Sequence, residues 1–256
     1  MTGRDMRLEQ FLNDSSVRFA KRIAVVAGGR EHSYAELARS SNRVAAALAA
    51  RGIGRGDRVA LFMDDNFEAV ASTFAVLKAG AVVAPVDPAS DSGTLARALV
   101  RTGAVAIVTE ARLASVAATA MASARSIRLV LLCGGDRSTA SASCLIFEDV
   151  ASGIGPGPEV NRAGPASDLA LLLPWAQPDG APVESHLTHA EVITAAGAAP
   201  QETRTLSALF SYYGLCQLFA TVRAGATLAL ATPSVFRRAL SRIEDDAGDA
   251  VPALVA

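Results

Sequence analysis

The sequence predicts an α/β fold with doubly wound, mostly parallel sheets and helices on both faces. Three observations predict it. Short β-rich apolar runs alternate with segments of helical periodicity between residues 58 and 133. Glycines stand where the helical segments should stop, at Gly52, Gly80 and Gly225. The chain has 256 residues, 51% of them hydrophobic, which is enough to bury a large core. Such alternation favours parallel strands joined by right-handed crossovers.

The elements follow in order. Residues 1–22 read as an amphipathic lead-in anchored by Leu8, Phe11, Leu12, Val17 and Phe19. Residues 23–26 and 30–32 flank Gly28-Gly29, a pair that supplies the positive φ of a tight hairpin turn. Ser33 and Glu36 form a capping-box pattern ahead of Tyr34, Leu37, Val44, Ala45 and Leu48, which recur at helical spacing. A strand over 58–63 leads to Asn66, a cap for a helix through residue 79. The strand over 82–86 should end at Pro85 and Pro88. A helix over 92–102, a strand over 105–108, a helix over 111–124 and a strand over 129–133 continue the alternation.

Residues 134–143 and 151–166 are rich in Gly, Ser and Pro and read as loops. The second divides a first α/β lobe (1–150) from a linker (151–167) and a second lobe (168–256). Gly153, Gly155 and Gly157 follow no strand, so they are not read as a phosphate loop. Beyond the linker come a strand over 169–173, a helix from Thr188 to about residue 199, and a strand over 205–210. A helix to residue 223, a strand over 227–231 and a last helix over 233–246 complete the second lobe.

The formal net charge is −1, which gives no reason to expect nucleic acid as a partner. Of the basic residues, 22 are arginine and only Lys21 and Lys78 are lysine. Cys133, Cys144 and Cys216 are scattered without a metal-ligand spacing, which fits a reducing, cytoplasmic setting. No apolar run approaches the roughly 18 residues of a membrane span, and the charged N-terminus has no signal-peptide pattern.

The stretch 169–192 reads LALLLPWAQPDGAPVESHLTHAEV: an apolar strand, a Pro/Gly-rich loop, and a helix start capped by Thr188 with Glu191 three residues on. Strand, glycine-bearing loop and helix N-terminus is a layout suited to holding phosphate. The frame resembles the YTSGTTGxPKGVxLTH signature of the adenylate-forming superfamily, the acyl-CoA synthetases and peptide-synthetase adenylation domains. A longer run, GDRVALFMDDNFEAVASTFAVLKAGAVVAPVDP, resembles that superfamily's GDRVAxxxxNxxExxxAxxAxxxAGAVxVPLxP pattern. Together with the segment Ser33 to Leu37 and Asn42-Arg43, the similarity extends over about sixty residues. The segment from Leu209 to Leu215 resembles the family's LFHxYGL, with Ser211 in place of histidine, and RAGATLAL is also family-like.

The resemblance implies the first half of an acyl-CoA synthetase N-terminal domain, using ATP, Mg²⁺ and CoA. It also exposes departures. Pro182 and Gly180 are kept, but Val183 stands at the lysine position and Glu184 at the following glycine. Pro174, Trp175, Ala176, Gln177, Pro178 and Asp179 replace the Ser/Thr/Gly run. Prolines donate no amide hydrogen, non-glycine residues restrict close backbone approach, and Glu184 adds negative charge where phosphates would sit. The loop is therefore degenerate, no catalytic residue is assigned, and no cofactor is expected to bind.

The resemblance places an acyl or aryl pocket at Phe210, Ser211, Tyr212, Tyr213 and Gly214; the same aromatics, Phe210 and Tyr213, read alternatively as core. His186 and His189, with Glu184 and Glu191, have the look of a metal cluster, yet His189 falls at a helix start and is read as structural, so no metal site is expected. Trp175 reads either as a plug for the nucleotide space or as a partner anchor. The functional expectation is an inactive ligase relative acting in binding or regulation, with a carboxylic acid as ligand. A protein partner or second copy would cover the sheet edge left where the chain stops. The runner-up is the N-terminal part of a split ligase activated by a separate chain, and a third reading is a fragment without function.

Overall fold

The structure, a computed structural model, describes residues 6–152, 164–176, 182–197, 204–206 and 208–230. Helix α1 (Leu8–Arg18) precedes strands β1 (Ile23–Ala27) and β2 (Arg30–Ser33), an antiparallel hairpin. Gly28 and Gly29 take φ of 56° and 77°, as the turn requires. Leu8, Phe11 and Leu12 are buried, but Val17 is 83% exposed and is not an anchor: it falls on the face of α1 turned from the core.

Helix α2 (Tyr34–Ala50) begins at Ser33, whose side chain accepts the Glu36 amide. Strand β3 (Arg58–Phe62) follows, then helix α3 (Phe67–Lys78), capped by Asn66 accepting the Ala69 amide. Strand β4 (Val82–Val86) contains Pro85, so that proline does not end it. The neighbouring strand on that side pairs only at Val83, so a missing amide at residue 85 costs no ladder bond there.

Helix α4 (Ser92–Thr102) and strand β5 (Ala106–Glu110) match expectation, whereas the helix expected over 111–124 is a 3₁₀ turn (Ala111–Leu113) followed by the shorter α5 (Ala114–Met121). After β6 (Leu129–Cys133) come two elements the sequence pattern does not announce, β7 (Cys144–Ile146) and α6 (Phe147–Ala151). Both are below the length at which periodicity speaks.

Strand β8 (Leu169–Ala176) turns back into β9 (Pro182–Thr188), and helix α7 (His189–Gly197) follows directly. The strand expected over 205–210 is described only as β10 (Arg204–Leu206), and Leu209 and Phe210 form a turn. Local bonding explains the stop: the Leu209 amide donates to Asp65, and Ser211 caps helix α8 (Tyr212–Ala224) by accepting the Gly214 amide. Strand β11 (Leu228–Leu230) ends the described chain, so the helix expected over 233–246 and the open edge beyond it lie outside the described residues.

Two sheets result. One has the order β10-β11-β1-β2 and the other β7-β6-β5-β3-β4-β8-β9. In the larger sheet every pair is parallel except β8 with β9. Each sheet draws strands from both sides of residues 151–167. Alternation along the central strands feeds two cores. Val59, Leu61 and Val108 face one core, shared with α1, α2, α3 and α8; Ala60, Phe62 and Ile107 face another, covered by α4 and α5.

Tyr34 is fully buried at the start of α2, and its hydroxyl donates to the Ala226 carbonyl at 2.6 Å. Burial raises its pKa. We predict that Tyr34→Phe, which leaves that carbonyl short of a donor, lowers unfolding stability by about 1–2 kcal/mol in urea titrations without changing the far-UV spectrum.

Candidate functional site

In an open parallel sheet, ligands bind beyond the carboxyl ends of the strands, where successive strands leave to opposite sides. Here β4 and β5 lie on opposite sides of β3, and a cavity of about 880 Å³ opens at that place. Residues following the strand ends line it: Asp64 to Asn66 after β3, Asp87 after β4, Arg112 after β5 and Gly134 after β6. Pro174 of β8 and the turn at Ala208, Phe210 and Ser211 close one side.

The lining is acidic. Asp64, Asp65, Glu68, Asp87, Glu110 and Glu148 contribute carboxylates, and Arg112 is the single basic residue among the described lining. That guanidinium is already engaged, with Asp64 at 2.5 Å and Glu110 at 2.9 Å. Glu110 also accepts the Asn66 side-chain amide at 2.6 Å, and Glu148 accepts the Gly134 amide at 2.7 Å. Burial raises the carboxyl pKa of Asp65, with the neighbouring Asp64 adding to it and the Leu209 amide opposing. Burial likewise raises that of Glu68, helped by Glu148 and Glu110. The Cys133 thiol, 5% exposed on the cavity wall, is pushed up by burial and by the same glutamates, so it stays protonated.

The N-terminus of α3 also faces this space, and a helix N-terminus favours an anion by about 0.3–1 kcal/mol. Asn66 and Glu68 already answer that end. Two like unit charges about 4 Å apart repel by roughly 4 kcal/mol at an effective dielectric near 20, so the carboxylates outweigh the dipole.

The segment expected to be a degenerate phosphate loop falls between β8 and β9. Gln177, Pro178, Asp179 and Gly180 lie outside the described residues, as do the side chains of Trp175, Ala176, Pro182 and Val183. On the backbone, Pro174 pairs with Glu184, Trp175 with Val183 and Ala176 with Pro182. Glu184 is held by Arg101 at 2.7 Å. The expectation that the loop runs straight into a helix is overturned. Strand β9 intervenes, and its seven residues carry the start of α7 back along the sheet by about 20 Å. The capping box itself is present: Glu191 accepts the Thr188 amide at 2.8 Å, and Thr188 accepts the Glu191 amide at 3.3 Å. The first helical amides are spent on the protein, His189 on the Asp168 carbonyl and Ala190 on the Ala166 carbonyl.

Of the residues assigned to an acyl or aryl pocket, Phe210 and Ser211 line the cavity. Tyr212 and Tyr213 are 52% and 63% exposed, which removes Tyr213 from the core, and neither is in the lining. Gly214 is buried, and a Cβ there would collide with the Ala208 carbonyl oxygen. The carboxylates were missed as a group by sequence reasoning. Their signal was positional, since Asp64, Asp87 and Glu110 stand at or just after strand ends.

His189 is fully buried, and its Nδ1 accepts the Leu8 amide at 3.2 Å. The neutral ring therefore carries its proton on Nε2, which has no partner among the described residues. Glu184 pairs with Arg101 at 2.7 Å and also lies 3.8 Å from His186 Nε2, while Glu191 turns to Thr188. Around His189, Arg7 reaches Glu9 at 2.7 Å and Asp168 at 3.4 Å, and Arg55 makes two 2.8 Å bonds to Asp168. Hydrogen bonding to Arg55 holds the Asp168 carboxyl below its ordinary range.

The family model described as AMP-binding enzyme matches residues 12–247. The chain belongs to this family. Naringenin synthase of Pestalotiopsis fici is 43% identical over 107 residues, covering 41% of this chain and 4% of that protein. The medium/long-chain-fatty-acid–CoA ligase FadD6 of Mycobacterium tuberculosis is 27% identical over 180 residues, covering 69% of this AMP-binding-family chain and 28% of the ligase. A crystal structure of the anthranilate CoA ligase AuaEII in complex with anthranoyl-AMP superposes with a TM-score of 0.82 at 19% identity, covering 94% of this chain and 48% of that one. The fold is thus that of adenylate-forming ligases, and the chain spans about half of the solved neighbour and less than a third of these curated relatives. No helix among the described residues is long and apolar enough to cross a membrane.

Two predictions follow from this geometry. Gly214→Ala should destabilise the fold by about 1–3 kcal/mol in chemical denaturation, because the obstacle is backbone rather than a movable side chain. Burial, then Arg7, lowers the His189 pKa from 6.5 to about 3. The unfolded chain therefore binds the proton first, and stability should fall as pH drops below 6.5, levelling near 3. Glu9, raised by burial, works in the opposite sense, its contribution being lost as pH rises through its elevated pKa. His189→Asn keeps an acceptor for Leu8 and should flatten the melting temperature between pH 6.5 and 5; an unchanged slope would assign the loss to other groups.

Proposed function

We propose that this chain is a ligase-family protein that does not form adenylates and acts by binding, in a reducing, cytosolic setting. One observation carries the reading: the described residues that flank the segment matching the family's phosphate loop are strand-paired, Pro174 with Glu184 and Trp175 with Val183, Glu184 is held by Arg101, and Val183 stands in place of lysine. Further support comes from the helix start, which is displaced along the sheet with its first amides satisfied. Lys78 is buried and donates to Asn42 at 2.5 Å. ATP with Mg²⁺ does not fit this surface, because a polyphosphate would meet the cavity carboxylates without an uncommitted cation among the described lining. Three free cysteines, two of them buried, support the reducing setting.

The expected outcome is no ATP–pyrophosphate exchange above background with fatty, aryl or amino acid panels. Exchange dependent on any one carboxylic acid would overturn the reading.

A further inference from the structure

The C-terminal ends of α1 and α8 carry charge that the fold does not use. We propose that Arg18, Lys21, Arg22 and Arg223, with the exposed Val17, form a docking surface for an acidic segment of a partner protein. The two helices end side by side. Ser15 Oγ donates to the Val222 carbonyl at 2.6 Å, and Phe19 packs so close to Gly225 that an added Cβ would strike its ring. The guanidinium of Arg18 lies 5.0 Å and that of Arg22 4.5 Å from the centroid of the same Phe19 ring. Arg223 lies 5.3 Å from that of Phe11, about two turns back along α1. All four cations are exposed, and among the described residues none has a carboxylate partner. Asp14, one turn before Arg18 and also exposed, does not pair with it. None of these residues lines the carboxylate cavity.

Part of this charge has a structural use. Arg18 and Arg223 stand in the last turns of their helices, where a cation complements the carbonyl end of the dipole. Each helix end presents roughly half a negative charge, so the two ends balance about one of the four cations. The remainder has no counterpart among the described residues. The Phe19 ring holds Arg18 and Arg22 so that their charges stand within about 10 Å of each other, inside a Debye length at low salt. That arrangement favours carboxylates at a fixed spacing, which a planar guanidinium grips with two parallel bonds. Val17, 83% exposed beside them, adds an apolar contact of the kind protein interfaces bury. A lipid bilayer fits less well, because it needs an apolar face to insert and Val17 is a single side chain. Docking here needs no particular state of the phosphate-loop segment, so ATP–pyrophosphate exchange neither supports nor opposes it.

The test is fluorescence anisotropy with the full chain, at low salt and near neutral pH, and a labelled peptide that alternates pairs of glutamates with leucine. Its glutamine–leucine counterpart is the neutral comparison, and vesicles containing phosphatidylserine and a DNA duplex are competitors. The glutamate peptide should bind more tightly than about 1 mM, added NaCl should weaken it, and the glutamine peptide should not bind. Arg18→Gln with Arg22→Gln should weaken binding by about tenfold, and Val17→Ser by a smaller factor. Arg51→Gln with Arg125→Gln removes equal charge from exposed positions elsewhere and should leave binding unchanged. Arg51 follows the far end of α2, roughly 25 Å along that helix from the point where Ala35 bonds Ala20. Absence of glutamate-peptide binding overturns the proposal. So does an affinity that survives the Arg18 and Arg22 substitutions, or one that falls equally in the Arg51 and Arg125 variant. Vesicles or a duplex that displace the peptide more effectively than unlabelled peptide does overturn it in favour of a lipid or nucleic-acid surface. Thermal melts of each variant separate lost binding from lost folding.

Discussion

Helix α3 is the constraint on which the rest of the structure depends. Every residue from Phe67 to Lys78 except Glu68 is buried. It touches β1 of the smaller sheet, β3 and β4 of the larger, and helices α1 and α2. A helix apolar on all sides has no solvent face, so its neighbours must enclose it. That requirement fixes both sheets relative to one axis and explains the mean burial of small residues along it, Ala69, Ala71 and Ala75, which let helices approach closely. The two ends of α3 are where polarity returns. Lys78 finds Asn42 at one end, and Asn66 and Glu68 meet the cavity at the other. The element that organises the core thereby also delivers charge to the site.

A second joint ties the chain's beginning to its middle. Arg7, Glu9, Asp168 and His189 come from α1, the entry to β8 and the start of α7. Removing such groups from water is expensive unless they are paired. Arg7 is shared between Glu9 and Asp168, and Arg55 completes Asp168 from solvent. Yet Glu9 Oε2 and His189 Nε2 keep no partner among the described residues. The cluster is therefore held by its geometry more than by complete satisfaction, which is why acid bears on it through the histidine.

Much of the fold was legible in the sequence because its signals are local. Ser33 and Asn66 each cap a helix, and Gly28-Gly29 each take positive φ, and these are decisions made within four residues. What was not legible depends on partners far along the chain. Val17 fits a helical stripe, but which side of α1 faces the core is set by α8 and α2. Strand β9 reads as loop because Pro182, Glu184 and His186 are poor strand formers; it exists because β8 offers a long ladder to pair with. Gly80, a part of the family pattern retained here, takes φ of 78° and serves the fold.

A frame can persist while its electrostatics reverse, because capping, burial and strand pairing do not depend on the sign of charge in a solvent-facing crevice. Arg101 is paired with Glu184, and Arg112 with Asp64 and Glu110, so these two guanidinium groups are cancelled locally. What is left over is negative and concentrated around Glu68, at the mouth of the helix the core was built around.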